Sequence, residues 1–273
     1  MEKMTRSIAL GFVIYRSEAG FLTRVRKSIE SGFDIYIFDN SPEQDLIRNF
    51  CADKAKARYI TAGKNLGLGF GVSSVCAQAY YQGHSALLFF DQDSIYSEET
   101  LNFIEAYYSE HPKLETTHSV VAFNSKDLDR SLDCFENVDL VINSGSLFFL
   151  KNLETLSWHN EKYFVDGVDY EFCLRSKMRG FKVGKYSCTP GFDHTTEQAD
   201  ENYSIFGKTY AMRAYSLSRI LDVSRSSSKL VFTALLGAEF MFALKLMRLW
   251  TIYLIVQMLA RFLNLLAKPE RSK

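Results

Sequence analysis

The chain has 273 residues, 47% of them apolar, enough to bury a sizeable core and to hold one large domain or one and a half. Lys plus Arg and Asp plus Glu each number 32, so the net charge is zero and no overall basic excess points to nucleic acid. Five cysteines (Cys51, Cys76, Cys134, Cys173, Cys188), odd in number and without a CxxC pair, argue against a zinc site or a disulfide framework and for a reducing compartment.

The apolar N-terminal stretch is too short to span a membrane and lacks a small-residue cleavage site, so residues 7–15 read as a first strand and not a signal peptide. Residues 20–31 place Phe21, Leu22, Val25 and Ile29 at helical spacing. Residues 34–38 form a short strand that ends in Asp39-Asn40-Ser41-Pro42, which is turn chemistry and a helix start. A weak third strand covers 58–61 and a helix 72–82. A strand follows at 86–90, then a helix over 97–108 capped by Ser97, with Glu98 and Glu99 in its first turn. Strands alternating with helices at this spacing predict a parallel α/β sheet. Strand-like runs recur at 119–123, 147–150 and 181–186, a helix is expected at 169–179, and 188–202 is a polar loop.

The Ser-rich stretch 224–228 reads as a linker. Beyond it, residues 230–267 are dense in apolar side chains, with Glu239, Lys245, Arg248 and Arg261 as their charges. The longest uncharged stretch, 249–260, falls short of the about 20 residues a spanning helix needs. The segment therefore predicts one or two amphipathic helices in a membrane interface, with Trp250 and Tyr253 at headgroup level. The alternative is a helix pair packed on the rest of the protein or on another subunit. Residues 229–273 carry a net charge of +5 and residues 1–228 a net of −5, as for a basic tail meeting an anionic surface.

Chemistry-bearing residues cluster in five places. Asp91-Gln92-Asp93-Ser94 follows the apolar run at 86–90, where open α/β sheets bind ligands. Two carboxylates so close repel unless a cation such as Mg2+ or Mn2+ holds them. The plain alternative is a helix cap. Asp39, at the end of the second strand, could accept a hydrogen bond from a nucleobase, or could be a turn residue. Asn65-Leu66-Gly67-Leu68-Gly69-Phe70-Gly71 sets three glycines on alternate positions before a helix N-terminus, which favours anions. Asp166, Asp169 and Glu171 open the helix before Cys173 and Arg175, where a carboxylate could act as general base or simply complement the helix dipole. His194, in a polar loop behind the last strand, could ligate a metal, although a lone histidine is usually structural.

In this order these motifs resemble a family 2 glycosyltransferase of the GT-A fold, and most of all the bacterial rhamnosyltransferases of O-antigen and capsule assembly. The resemblance spans about residues 7–220. It implies an α/β fold with a Rossmann-like, mostly parallel sheet flanked by helices. A GT-A domain over 1–222 would be followed by membrane-associating amphipathic helices over 229–268. It further implies Asp93 as the main metal ligand and Asp91 on the donor ribose or on the metal through water. Asp39 would read a pyrimidine. Asn65, Gly67, Gln92 and Arg175 complete the expected donor contacts. Asp169 would be the general base with Glu171 its acidic neighbour, Asp166 remaining an alternative base, and His194 a further ligand of Mn2+ or Mg2+. Phe172 and Ser73 depart from the pattern, where Trp and Asn are usual. The implied reaction is an inverting, metal-dependent transfer of a sugar, L-rhamnose from dTDP-rhamnose or another sugar from a UDP-linked hexose or galactofuranose donor. The expected partners are that nucleotide sugar, a lipid-linked saccharide acceptor and the inner-leaflet surface of the bacterial membrane, with a homo-oligomer left open. A non-catalytic sugar-nucleotide-binding module at the membrane would keep the tetrad but need no Asp169. A dehalogenase-type phosphatase would carry Asp-x-Asp after its first strand, and a sugar nucleotidyltransferase would carry a Gly- and Arg-rich loop there.

Overall fold

The computed structural model describes residues 7–17, 19–42, 45–124, 134–194, 201–205 and 208–266. Part of the predicted loop at 188–202 and the end of the basic tail lie outside them. The chain divides into two compact units, Met1–Thr195 and Thr196–Lys273.

The first unit follows the expected alternation. Its strands and helices run β1 (Ile8–Ile14), α1 (Ala19–Glu30), β2 (Ile35–Asp39), α2 (Asp45–Ala52), β3 (Ala57–Thr61), α3 (Leu68–Tyr81) and β4 (Ala86–Asp91). Next come β5 (Ser94–Ile95), α4 (Glu98–Glu110), α5 (Leu114–Thr117), β6 (His118–Ala122), β7 (Phe135–Val138) and β8 (Ser146–Phe149). The unit closes with α6 (Leu150–Thr155), α7 (Val168–Met178), β9 (Lys182–Tyr186) and β10 (Asp193–His194). The main sheet has the order β3-β2-β1-β4-β8-β6-β9-β7. The first four strands are parallel, and β8 breaks the pattern by pairing antiparallel with both β4 and β6.

Burial on both faces explains why these strands read as continuous apolar runs. β1 is buried at every position. Alternate side chains feed two cores. Leu10, Phe12, Ile35, Ile37, Leu88 and Phe90 pack with Phe21, Ile47, Leu101 and Ile104 on the side of α1, α2 and α4. Val13, Tyr36, Phe38, Leu87 and Phe89 pack with Val72, Cys76, Leu153 and Phe172 on the side of α3, α6 and α7. The strand period of two is what divides one sequence between two cores.

The expectation that the cysteines form no disulfide is corrected here. A disulfide joins Cys134, just before β7, to Cys188, just after β9. The antiparallel pairing of β7 with β9 brings the two together from a separation of 54 residues, which no local spacing could reveal. The other three cysteines are buried and free, as expected of small core residues.

The second unit holds the antiparallel hairpin β11 (Glu201–Ile205) and β12 (Lys208–Met212), then α8 (Leu217–Leu236) and α9 (Phe240–Leu266). The Ser-rich stretch is not a linker: it lies inside α8, where Ser224 accepts a hydrogen bond from the Trp250 indole at 3.3 Å. Gln257 of α9 accepts from the Tyr215 amide at 2.9 Å and donates to the Arg213 carbonyl at 2.9 Å. Tyr253 stacks on Tyr215, and Trp250 and Tyr253 are both half-buried. Between Phe240 and Asn264, α9 is long and apolar enough to cross a membrane by length and composition alone. The uncharged stretch by itself did not indicate this, because isolated charges interrupt the run without ending the helix.

Candidate active site

The parallel register sets two acids at one level. Ile14 of β1 pairs with Asp39 of β2, and Val13 of β1 with Asp91 of β4. Both carboxylates therefore stand at the C-terminal edge of the two parallel strands that flank β1. Asp39 is fully buried. Its Oδ1 accepts from the Ser41 amide at 2.8 Å and its Oδ2 from the Tyr59 hydroxyl at 2.9 Å. Burial first, and then this bond, push the Tyr59 hydroxyl up to about 12. In this structure Asp39 braces the ends of β2 and β3.

The acidic tetrad is not a helix cap. Asp91 ends β4, Ser94 begins β5, and Ser97 caps α4 by accepting from the Thr100 amide at 3.1 Å. β5 pairs with β10, setting His194 opposite Ser94. This pairing brings His194 Nδ1 to 3.5 Å from Asp93 Oδ1, across a hundred residues of chain. Ser144, which sequence reasoning did not single out, supports the tetrad from below: its hydroxyl lies 3.2 Å from the Asp91 amide and 2.9 Å from the Ser94 hydroxyl. Gln92 is bonded within the fold: its side-chain oxygen accepts from the Tyr15 amide at 2.8 Å and its carbonyl from Arg24 at 2.6 Å.

Asp169 opens α7 after Gly167, whose left-handed φ of 86° turns the chain into the helix. It is half-buried, and its Oδ1 accepts from the Tyr170 amide at 2.9 Å. Burial, with the charges of Asp91 and Asp166 added, raises its carboxyl to about 6. Asp91, Asp166 and Asp169 thus share one electrostatic environment, although they lie in two distant motifs.

The other expected contacts serve packing. A Cβ at Gly67 would lie 2.5 Å from the Phe164 carbonyl oxygen, and one at Gly69 2.6 Å from that of Tyr163. Gly71 likewise makes room for Val13. The close approach that the glycines allow is therefore to residues 160–164 and to β1, where the sequence reading expected a bound anion. Asn65 accepts from the Gly67 amide at 2.9 Å, closing a local turn. Asn40 holds that turn from β2, accepting from Leu66 N at 3.0 Å and donating to Gly67 O at 3.2 Å. The sequence signalled Asn40 only as turn chemistry.

Glu171 and Arg175 pair with each other within the fold. Glu171 is buried and takes a bidentate bond from Arg175, at 2.9 and 3.1 Å, plus one from Asn160 at 3.2 Å. Arg175 spends its remaining donors on the carbonyls of Leu156 and Trp158. The spacing of four on a helix makes this pair, and it pins the irregular segment 156–164.

Among the described residues no group of three or more His, Cys, Asp and Glu side chains could hold a metal ion. What is present is a carboxylate and an imidazole side by side, Asp93 and His194, with Asp91 two residues from Asp93 in the chain. That set fits a cation completed by substrate phosphates and water, which is how Mg2+ is commonly held, and not a closed protein cage.

Neither a protein-family model nor a curated relative matches the sequence. Solved structures do match. Residues 1–349 of S. aureus TarS in complex with UDP-GlcNAc align at 17% identity and a TM-score of 0.55, covering 82% of this chain and 65% of that one. Another structure of residues 1–349 of S. aureus TarS aligns at 19% identity and a TM-score of 0.51, covering 69% of this chain and 60% of that one. GalNAc-T7 with UDP, GalNAc and Mn2+ aligns at 11% identity and a TM-score of 0.57, covering 83% and 48%. The chain thus spans two thirds or less of the length of these proteins. At such identities the likeness is one of fold, and the fold is GT-A: a large mixed sheet with a parallel core, flanked by helices.

Proposed function

We propose that the protein is an inverting, metal-dependent glycosyltransferase that uses a nucleotide sugar. The observation that carries this reading is the Asp93–His194 pair next to Asp91 at the C-terminal edge of a GT-A sheet, with the Asp169 carboxyl, which feels the charges of Asp91 and Asp166, raised to about 6. A carboxylate of that basicity is suited to take a proton near neutral pH. Asp169 would receive the proton of an acceptor hydroxyl as that oxygen attacks the anomeric carbon from the face opposite the leaving group. Asp93 and His194, with Asp91 beside them, would hold Mn2+ or Mg2+. Bound there, the ion would offset charge on the departing nucleoside diphosphate. Displacement in one step inverts the anomeric centre.

The donor we favour is dTDP-rhamnose, on the strength of the Asp169–Arg175 run and the tetrad. The second reading is a UDP sugar, favoured by the UDP-GlcNAc in the TarS structure. The acceptor we infer is a lipid-linked saccharide of a bacterial surface polysaccharide, met at the inner leaflet. What supports that location is the row of exposed apolar residues on α8 and α9, with Lys and Arg among them. Incubation of the protein with a panel of nucleotide sugars and Mn2+ tests the reading. One donor should be hydrolysed slowly, and turnover should be lost in EDTA and in Asp93→Ala. Binding of a donor without turnover on any lipid acceptor would instead favour a non-catalytic module, and full activity in EDTA would remove the metal.

A further inference from the structure

Between the two acidic strand ends, β1 leaves the sheet through Tyr15 and Arg16. Both side chains are exposed, and the Arg16 guanidinium lies 5.2 Å from the centre of the Tyr15 ring. Arg16 has a φ of 48°, a left-handed conformation that an arginine rarely adopts. A bend of this kind persists only where its surroundings hold it.

Two side chains, each from the exit of a neighbouring strand, capture the backbone of this bend. Gln92 Oε1 accepts from Tyr15 N at 2.8 Å, and Ser41 Oγ accepts from Arg16 N at 2.7 Å. Each captor is itself held. The Gln92 carbonyl takes a hydrogen bond from Arg24 of α1 at 2.6 Å, and Ser41 N donates to Asp39 at 2.8 Å. The bend is thus a joint between the Asp39 turn and the acidic tetrad.

We propose that Gln92 is a positioning residue: it locks the Tyr15–Arg16 bend in its left-handed form and so shapes the rim of the site between Asp39 and Asp91. Its acceptor oxygen is committed to the chain, so its effect on a ligand is transmitted through the bend. That the rim borders a nucleotide rests on the glycosyltransferase reading; the lock itself does not.

Limited trypsin digestion of the full chain tests the lock, since the Arg16–Ser17 bond is a tryptic site and its cleavage can be identified by mass. In Gln92→Ala that bond should be cut roughly fivefold faster or more, the factor expected for one lost hydrogen bond. Gln92→Glu keeps an acceptor oxygen and should stay near the wild-type rate. If Gln92→Ala is cut no faster than wild type, the lock is wrong, whatever nucleotides do. Binding of UDP and of dTDP with Mn2+, measured by calorimetry, tests the transmitted effect. Gln92→Ala should weaken binding, and by a smaller factor when Arg16→Gly is also present, because glycine adopts the bend without strain. An equal loss in both backgrounds means direct contact with the ligand and overturns the positioning role. If the wild type binds neither nucleotide while the cleavage results hold, the functional reading fails and the lock stands.

Discussion

Asp169 must be ionised to accept a proton, yet its surroundings favour the neutral form. Burial contributes most to holding the carboxyl near 6, and the charges of Asp91 and Asp166 add to it. The sign of the pH dependence follows. In the free enzyme kcat/KM should rise with pH through an apparent pKa close to 6, because the base becomes competent as it loses its proton. Asp166→Asn removes one of the repelling charges, so the rising limb should move to lower pH with activity retained. Asp169→Asn keeps the shape and removes the acceptor, so turnover should fall by roughly 100-fold or more while donor binding survives. Full pH–rate profiles of both variants check this. A dead Asp166→Asn beside an active Asp169→Asn would exchange the two roles.

Among the elements, the irregular segment 156–164 links the site to the core. Arg175 holds its start through the carbonyls of Leu156 and Trp158, and the carbonyls of Tyr163 and Phe164 at its other end lie against Gly69 and Gly67 at the start of α3. At its centre is His159, 2% exposed and stacked on Phe172 at 4.4 Å. Neither ring nitrogen has a hydrogen-bond partner among the described residues, and burial, with the nearby Arg175 charge, lowers the imidazole to about 3. A histidine so depressed must stay neutral in the folded state. Its contribution is present above its ordinary value of 6.5 and is lost as pH falls from there toward about 3. His159→Leu removes an unsatisfied buried group at similar volume. It should raise stability at neutral pH by about 1 kcal/mol and flatten the acid-side loss. Urea unfolding at pH 7 and pH 5 measures both effects. A destabilised His159→Leu would mean that the ring nitrogens are satisfied in solution.

At the scale of the whole molecule, α8 and α9 pack on each other through Leu230, Ala234, Phe242 and Leu246 and still leave much apolar surface outside. Met241 and Leu244, and after a gap of two turns Ile252, Ile255, Met258 and Phe262, follow one another at steps of three or four along α9, each at least 48% exposed. Lys245, Arg248 and Arg261 lie among them and suit an anionic surface. The full chain should sediment with vesicles containing anionic lipid more than with neutral ones. High salt should release part of it and detergent more. Ile255→Asp combined with Met258→Asp should abolish sedimentation without lowering the main thermal transition. If the wild type ignores vesicles and forms a dimer that these substitutions dissociate, the surface belongs to a second copy of the chain.

Much of this protein is decided by local pattern. The apolar runs of β1, β2 and β4, the Ser97 cap of α4 and the acids at the strand ends follow from side-chain period and cap chemistry, which act over a few residues. That Asp93 and His194 would be needed together is legible only as a resemblance. Their separation of 3.5 Å exists because β10 pairs with β5. The same limit hid the Cys134–Cys188 bond and the support that Ser144 gives the tetrad. The pairing of Glu171 with Arg175 was implicit in the helical spacing, whereas its use on the carbonyls of 156 and 158 was not. Periodicity records which face of an element is buried. Which distant element covers that face, and which donor meets which acceptor there, is settled by register and packing between strands far apart in the chain, and only the tertiary structure contains it.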